Sequence, residues 1–189
     1  IKGTYPPGSC FKPVLALAAL KENLINPAKK INCEGQISLS GRYGSAVFKD
    51  WRRHGLTDMK KAIAQSCNVY FYTLGGGYGG QSGLGIQKIS EYAQKLGLGH
   101  KTGIDLSDEA SGRIPTPEWK ENRFGERWYK GDTYNTSIGQ GYVEVTPLQI
   151  AVMTSYFANK NHPVKPHLLG EILGTKEKGI KKINESPED

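Results

Sequence analysis

The sequence predicts a mixed α/β fold organised around one buried helix close to its N-terminus. Three features predict it. Val14, Leu15, Leu17, Ala18, Leu20 and Leu24 make an almost wholly apolar run, with polar Lys21, Glu22 and Asn23 gathered at its end, the pattern of a helix covered on all sides. Residues 29–56 then break into short alternating pieces, Ile31-Asn32-Cys33, Gln36-Ile37-Ser38-Leu39 and Ala46-Val47-Phe48, separated by Gly35, Gly41 and Gly44, as in a hairpin-rich insertion. Further on, helical periodicity returns. Ile89, Tyr92, Ala93 and Leu96 share one face of a helix over 87–96, and Thr146-Pro147-Leu148-Gln149 opens another running to Tyr156.

Each remaining element has a local reason. Pro13 falls in the first turn of the N-terminal helix, where a missing N–H does little harm, and Asn26-Pro27 stops the chain from continuing. Thr57-Asp58 supplies a cap for a helix through Ala62, Ile63 and Ala64. A third apolar helix follows Ser66-Cys67-Asn68, carrying Val69, Tyr70, Phe71, Tyr72 and Leu74. Gly75-Gly76-Gly77-Tyr78-Gly79-Gly80 reads as a flexible connector, and 104–119, with Pro115 and Pro117, as an irregular loop. The stretch 176–189 is charged and polar, the composition of a flexible tail.

With 189 residues, 37% hydrophobic and 23% charged, the chain suits one domain with a core. No apolar run approaches the ~18 residues of a membrane span. The net charge of +7 permits an anionic partner, but it is spread out, without zinc-finger spacing or an RNA-binding aromatic signature. Solvated surface charge is the simpler account. Cys10, Cys33 and Cys67 are read as too few and too scattered for a disulfide framework or a zinc site. Gly97-Leu98-Gly99-His100-Lys101-Thr102 imitates a phosphate loop, yet His100 stands where glycine must precede the lysine.

The chemistry concentrates in Tyr5-Pro6-Pro7-Gly8-Ser9-Cys10-Phe11-Lys12-Pro13. If a helix starts near Ser9, positions i and i+3 share a face, so the Lys12 amine can lie beside the Ser9 hydroxyl. A hydroxyl needs such a base to act as a nucleophile, and a desolvated lysine of lowered pKa can serve. An S-x-x-K is expected about once by accident in a chain of this length, and Ser and Lys are ordinary residues for a helix start. The second element is Ser66-Cys67-Asn68, between two helices. It can put a proton-relaying hydroxyl and a carbonyl-binding amide on the opposite wall of a cleft; in isolation it would be no more than a cap.

Together the S-x-x-K and S-x-N elements resemble those of the penicillin-binding protein and β-lactamase superfamily. Tyr5–Pro13, residues 62–72 (AIAQSCNVYFY), 101–106 (KTGIDL) and 134–141 (YNTSIGQG) are most similar to class B penicillin-binding proteins, specifically those of cell elongation. Cys10 stands where that family usually has Thr, and Asn68 where it often has Asp. The resemblance implies a serine β-lactamase/transpeptidase-like fold: a helical subdomain around the nucleophile helix, plus an antiparallel sheet packed by helices. The chain 1–189 would be an incomplete portion of it.

The resemblance makes Ser9 the nucleophile, Lys12 its base, Ser66 the proton relay and Asn68 the substrate-side amide of a D,D-transpeptidase. Its substrates would be D-Ala-D-Ala stem peptides, and β-lactams would acylate the same serine. It implies no metal and no organic cofactor. Its expected partners are a membrane-embedded glycosyltransferase and elongation proteins, not nucleic acid. The expected location is the periplasmic side of the inner membrane, through an anchor that this chain lacks. A β-lactamase, a D,D-carboxypeptidase and a non-catalytic β-lactam-binding sensor share the first two elements and are the alternatives. The third element of the superfamily, K-T-G on a strand, is spelled by Lys101-Thr102-Gly103. That triplet follows a helix ended by Gly97 and enters a proline-containing loop, so it is expected to be a decoy, with the working motif beyond Asp189.

Overall fold

A computed structural model of the chain describes residues 1–41, 44–160, 162, 164–172 and 181–182. The chain enters through a 3-10 turn, Gly8–Phe11, that runs directly into helix α1, Lys12–Lys21. Phe11, Val14, Leu15, Ala18 and Ala19 are fully buried. Burying each large side chain contributes about 1.5–3 kcal/mol, so this segment is the hub of the core. Helices α3 (Asn68–Gly76) and α4 (Gly85–Lys95) pack against it.

Between α1 and α3 the chain makes two antiparallel ribbons and one short helix. β1 (Ile31–Cys33) pairs with β4 (Gly55–Thr57), and nested between them β2 (Gln36–Gly41) pairs with β3 (Gly44–Lys49). β2–β3 is exposed along most of its length. Phe48 anchors it, meeting Tyr72 and Tyr134 edge-on at centroid distances of 5.8 and 5.0 Å. Helix α2 (Met59–Ala64) begins where Asp58 Oδ1 accepts the Lys61 N–H at 2.8 Å. Among the described residues strands pair only in twos; the last pair is β5 (Glu171–Ile172) with β6 (Lys181–Lys182). Apart from β6, the polar stretch 176–189 lies outside the described residues.

Two segments depart from their sequence reading, and for a third, Y-N-T-S, that reading gives no element. Residues 117–124 are helix α5 rather than the end of a loop, because Thr116 caps the Trp119 N–H and Pro117 occupies the first turn. The Y-N-T-S segment lies in helix α6, Lys130–Ser137. Gly75 and Gly76 are helical instead of forming a connector. A Cβ on Gly75 would stand 1.7 Å from Ser137 Oγ, and one on Gly76 would stand 2.3 Å from the Tyr134 ring. These glycines let α3 and α6 close on each other, which no local composition signal distinguishes from a linker. Helix α7 (Pro147–Ala158) starts with a reciprocal cap between Thr146 and Gln149.

The turn that presents Ser9 is clasped by the segment after α6. Gly8 N–H donates to Gly139 O at 2.9 Å, and Tyr5 exchanges both backbone bonds with Val145 at 2.9 and 3.0 Å. Gly139 has φ +68°, and a Cβ there would lie 2.3 Å from Gly8 O. Only glycine permits that approach.

Candidate active site

Ser9 sits exposed in the 3-10 turn, and Lys12, 2% exposed, is the first residue of α1. Ser66 and Asn68 bracket Cys67 in the tight link between α2 and α3. The fold brings all four together. Ser9 Oγ and Ser66 Oγ are 2.7 Å apart. Lys12 Nζ donates to Ser66 O at 2.7 Å and Asn68 Oδ1 at 2.6 Å, and lies 2.9 Å from Ser66 Oγ. Lys12 therefore connects to Ser9 through the Ser66 hydroxyl. A shared helical face accounts for the proximity of Ser9 and Lys12, but the hydrogen bonds are tertiary.

Burial pushes the Lys12 amine down to about 8, against the opposing pull of the Asp50 charge and of Cys67. In its neutral form the amine has two N–H donors and one lone pair. Two carbonyl acceptors and one hydroxyl match that set: N–H to Ser66 O, N–H to Asn68 Oδ1, and the lone pair toward the Ser66 O–H.

Ser66 has φ +54°, a left-handed conformation that costs a non-glycine residue about 1 kcal/mol or more. Its surroundings hold it there. Its N–H reaches Ile63 O at 3.2 Å, the Cys67 N–H reaches Ala62 O at 2.9 Å, and Lys12 takes its carbonyl. Trp51 Nε1–H donates to the preceding carbonyl, Gln65 O, at 3.2 Å. On the other side Asn68 Nδ2 donates to Lys49 O at 3.4 Å, linking the wall to β3.

Behind that wall lies a cluster that sequence spacing missed. Donor atoms of Cys33, Asp50, His54 and Cys67 all fall within 4.8 Å of one another. Both thiols donate to Asp50 Oδ2, at 3.4 Å from Cys33 and 3.3 Å from Cys67, and the Val69 N–H reaches the same oxygen at 2.9 Å. Burial works to raise the Asp50 carboxyl, but the Val69 and Trp51 N–H groups and the two thiols outweigh it and hold it below its ordinary value; burial pushes the Cys67 thiol up. His54 Nδ1 lies 3.2 Å from Gln65 Oε1. His54 Nε2 is buried, makes no hydrogen bond and faces Asp50 Oδ1 at 3.4 Å. Two sulfurs, one imidazole nitrogen and one carboxylate are a fitting donor set for a divalent ion such as zinc.

The cysteines read as scattered in sequence, yet Cys33 and Cys67 converge in space with Asp50 and His54. The β1–β4 ribbon and the start of α3 bring distant positions together, and the four-residue spacing of Asp50 and His54 was the one available hint. An ion there would tie the insertion to α3, apart from the Ser9 hydroxyl.

Lys101-Thr102-Gly103 lies in a loop away from any strand. The Thr102 N–H and Oγ1–H both donate to buried Glu109 Oε1, at 2.8 and 2.5 Å, and the Gly103 N–H to Oε2 at 3.1 Å. The Thr102 and Gly103 N–H groups and the Thr102 hydroxyl are consumed in closing this turn.

The penicillin-binding protein transpeptidase domain family model matches residues 1–188. The chain belongs to this family. Among its relatives is the peptidoglycan D,D-transpeptidase MrdA of Acinetobacter baumannii, 39% identical over 178 residues, which cover 93% of this chain and 25% of that protein. The chain thus spans about a quarter of the length of the curated relatives it matches. Among solved structures, Pseudomonas aeruginosa PBP2 in complex with WCK 5153 superposes with a TM-score of 0.80 at 33% identity, covering 97% of this chain and 41% of that one. Helicobacter pylori PBP2 in complex with MreC gives 0.78 at 34% identity, covering 96% and 32%. The penicillin-binding fold and the likeness to PBP2 stand on these matches.

Proposed function

We propose that this chain carries the nucleophile half of a peptidoglycan D,D-transpeptidase of the PBP2 kind. The observation that carries the reading is the unbroken chain Ser9 Oγ, Ser66 Oγ, Lys12 Nζ, with steps of 2.7 and 2.9 Å. Neutral Lys12 accepts the Ser66 proton as Ser66 accepts that of Ser9, and Ser9 Oγ attacks the carbonyl carbon of the penultimate D-Ala. The tetrahedral intermediate collapses with cleavage of the C–N bond. Lys12 returns its proton through Ser66 to the departing D-Ala amine, leaving an ester on Ser9. An amine of a neighbouring strand then attacks the ester; the same relay takes its proton and returns it to Ser9 Oγ as the ester C–O bond breaks and the new amide forms. Asn68, held between Lys12 and Lys49 O, orients the lysine and offers its amide toward the substrate backbone. β-Lactams acylate Ser9 by the same attack on their ring carbonyl.

The third element lies outside Lys101–Gly103, in sequence beyond Asp189. Among the described residues no helix is long and apolar enough to cross a membrane; the periplasmic, membrane-tethered setting follows from likeness to PBP2. An MreC-type protein is the first partner to test, since Helicobacter pylori PBP2 is seen with MreC. Intact-mass measurement of the native-length protein after exposure to a β-lactam, with mapping of the adduct, tests the assignment. A single stable adduct on Ser9 supports it. An adduct on another serine overturns it, and rapid hydrolysis of the adduct indicates a β-lactamase.

A further inference from the structure

Cys33 ends β1 and Cys67 caps α3, yet their sulfurs converge on one atom, Asp50 Oδ2, at 3.4 and 3.3 Å. Both are free thiols and both are buried, at 1% and 0% exposure. Cys10, the other cysteine, is exposed beside Ser9 and belongs to no such cluster. Two sulfurs facing a single carboxylate oxygen can meet at the roughly 2 Å of a disulfide bond once that carboxylate swings aside and the side chains rotate. The same sulfurs, with Asp50 and the His54 Nε2 that faces it at 3.4 Å, can instead hold a divalent cation. These uses exclude each other, because a disulfide sulfur carries no negative charge to offer a metal.

We propose that Cys33 and Cys67 form a reversible disulfide that competes with cation binding, so that the wall behind the candidate active site has a reduced, metal-holding state and an oxidised, cross-linked one. The oxidant is an external disulfide. Local opening of the ribbon uncovers one of the two buried thiols, which loses its proton and attacks the external disulfide, forming a mixed disulfide and expelling one external thiol. The second cysteine then attacks the protein sulfur and expels the other. The protein pair loses two electrons and two protons, the external disulfide is reduced to two thiols, and any bound cation leaves. Cys67 stands between Ser66 and Asn68, so the new bond would pin β1 directly to the S-x-N turn. Nothing in this step depends on acyl transfer.

The test uses the native-length protein and oxidised glutathione as the probe. One sample is first stripped with a chelator and another is loaded with zinc; both are then oxidised, unfolded, alkylated and digested without reductant. Mass spectrometry of the stripped sample should show a Cys33–Cys67 linked peptide two hydrogens lighter than its parts, with both residues protected from alkylation. Zinc added beforehand should suppress that link and leave both cysteines alkylated. In Cys33→Ser the link should vanish, with Cys67 recovered either alkylated or as its glutathione mixed disulfide. If that variant fails to fold, the comparison of zinc-loaded and stripped protein still decides. Full alkylation of both residues after metal-free oxidation, a link through Cys10 instead, or a Cys33–Cys67 link indifferent to zinc overturns the proposal.

Discussion

Lys12 Nζ meets Ser66 twice, at its carbonyl oxygen (2.7 Å) and at its hydroxyl (2.9 Å). The first contact holds a left-handed residue in place, and the second joins the buried amine to the Ser9 hydroxyl. One lysine thus holds the S-x-N turn and, in the proposed mechanism, stands at the end of the proton path.

Acylation should depend on pH through Lys12. Its amine is lowered to about 8 from 10.5 by burial, and only the neutral amine accepts a proton. The acylation rate of the native-length protein should therefore climb as pH rises through about 8 and level off above it. Between pH 8 and 10.5 the unfolded chain binds the extra proton, so this group alone makes stability increase with pH across that window. Stopped-flow acylation and thermal melts across pH 6.5–10.5 check both signs. A rate that is flat through pH 8 would remove Lys12 as the base.

Replacing either end of the relay should abolish the β-lactam adduct without unfolding the domain. Ser9→Ala removes the attacking atom, and Lys12→Ala removes the proton acceptor. Circular dichroism establishes the fold and intact mass establishes the loss.

At Ser66, chemistry and backbone strain separate. Ser66→Ala should slow acylation by the roughly 10²–10⁴-fold of a lost proton-transfer group. Ser66→Gly should slow it to a similar degree, while melting above Ser66→Ala by about 1 kcal/mol of relieved left-handed strain. Equal melting points for the two variants would mean that the turn imposes no strain.

The α3–α6 seam should reject a single methyl group. Gly75→Ala puts a Cβ 1.7 Å from Ser137 Oγ, and overpacking of this kind typically costs about 1–3 kcal/mol. Ser137→Gly should recover part of that loss in the double variant, measured by denaturant unfolding.

The K-T-G look-alike should be dispensable. Residues 1–189 alone should form no β-lactam adduct, the native-length protein should form one, and Lys101→Ala in the latter should acylate like the parent. Near-complete loss in Lys101→Ala would restore Lys101 to the active site. Glu109→Gln, by contrast, weakens the carboxylate that gathers Thr102 and Gly103, and should lower the melting point.

What the sequence determined by itself was whatever depends on near neighbours. Ser9 and Lys12 share a helix start because three residues make almost one turn, Asp58 caps α2 because its carboxylate reaches three residues ahead, and the apolar run after Lys12 had to be buried. The S-x-N element was legible as a motif, and so was the unsuitability of Lys101–Gly103 as a strand. Tertiary structure alone decided which atom each group touches. That the lysine reaches Ser9 by way of Ser66, that Gly75 and Gly76 are seam residues, and that Cys33, Asp50, His54 and Cys67 meet at one point all depend on how α3 packs against α1, α6 and the β1–β4 ribbon. Such contacts join residues far apart in the chain, and the periodicity that marks a buried face does not say what lies across from it.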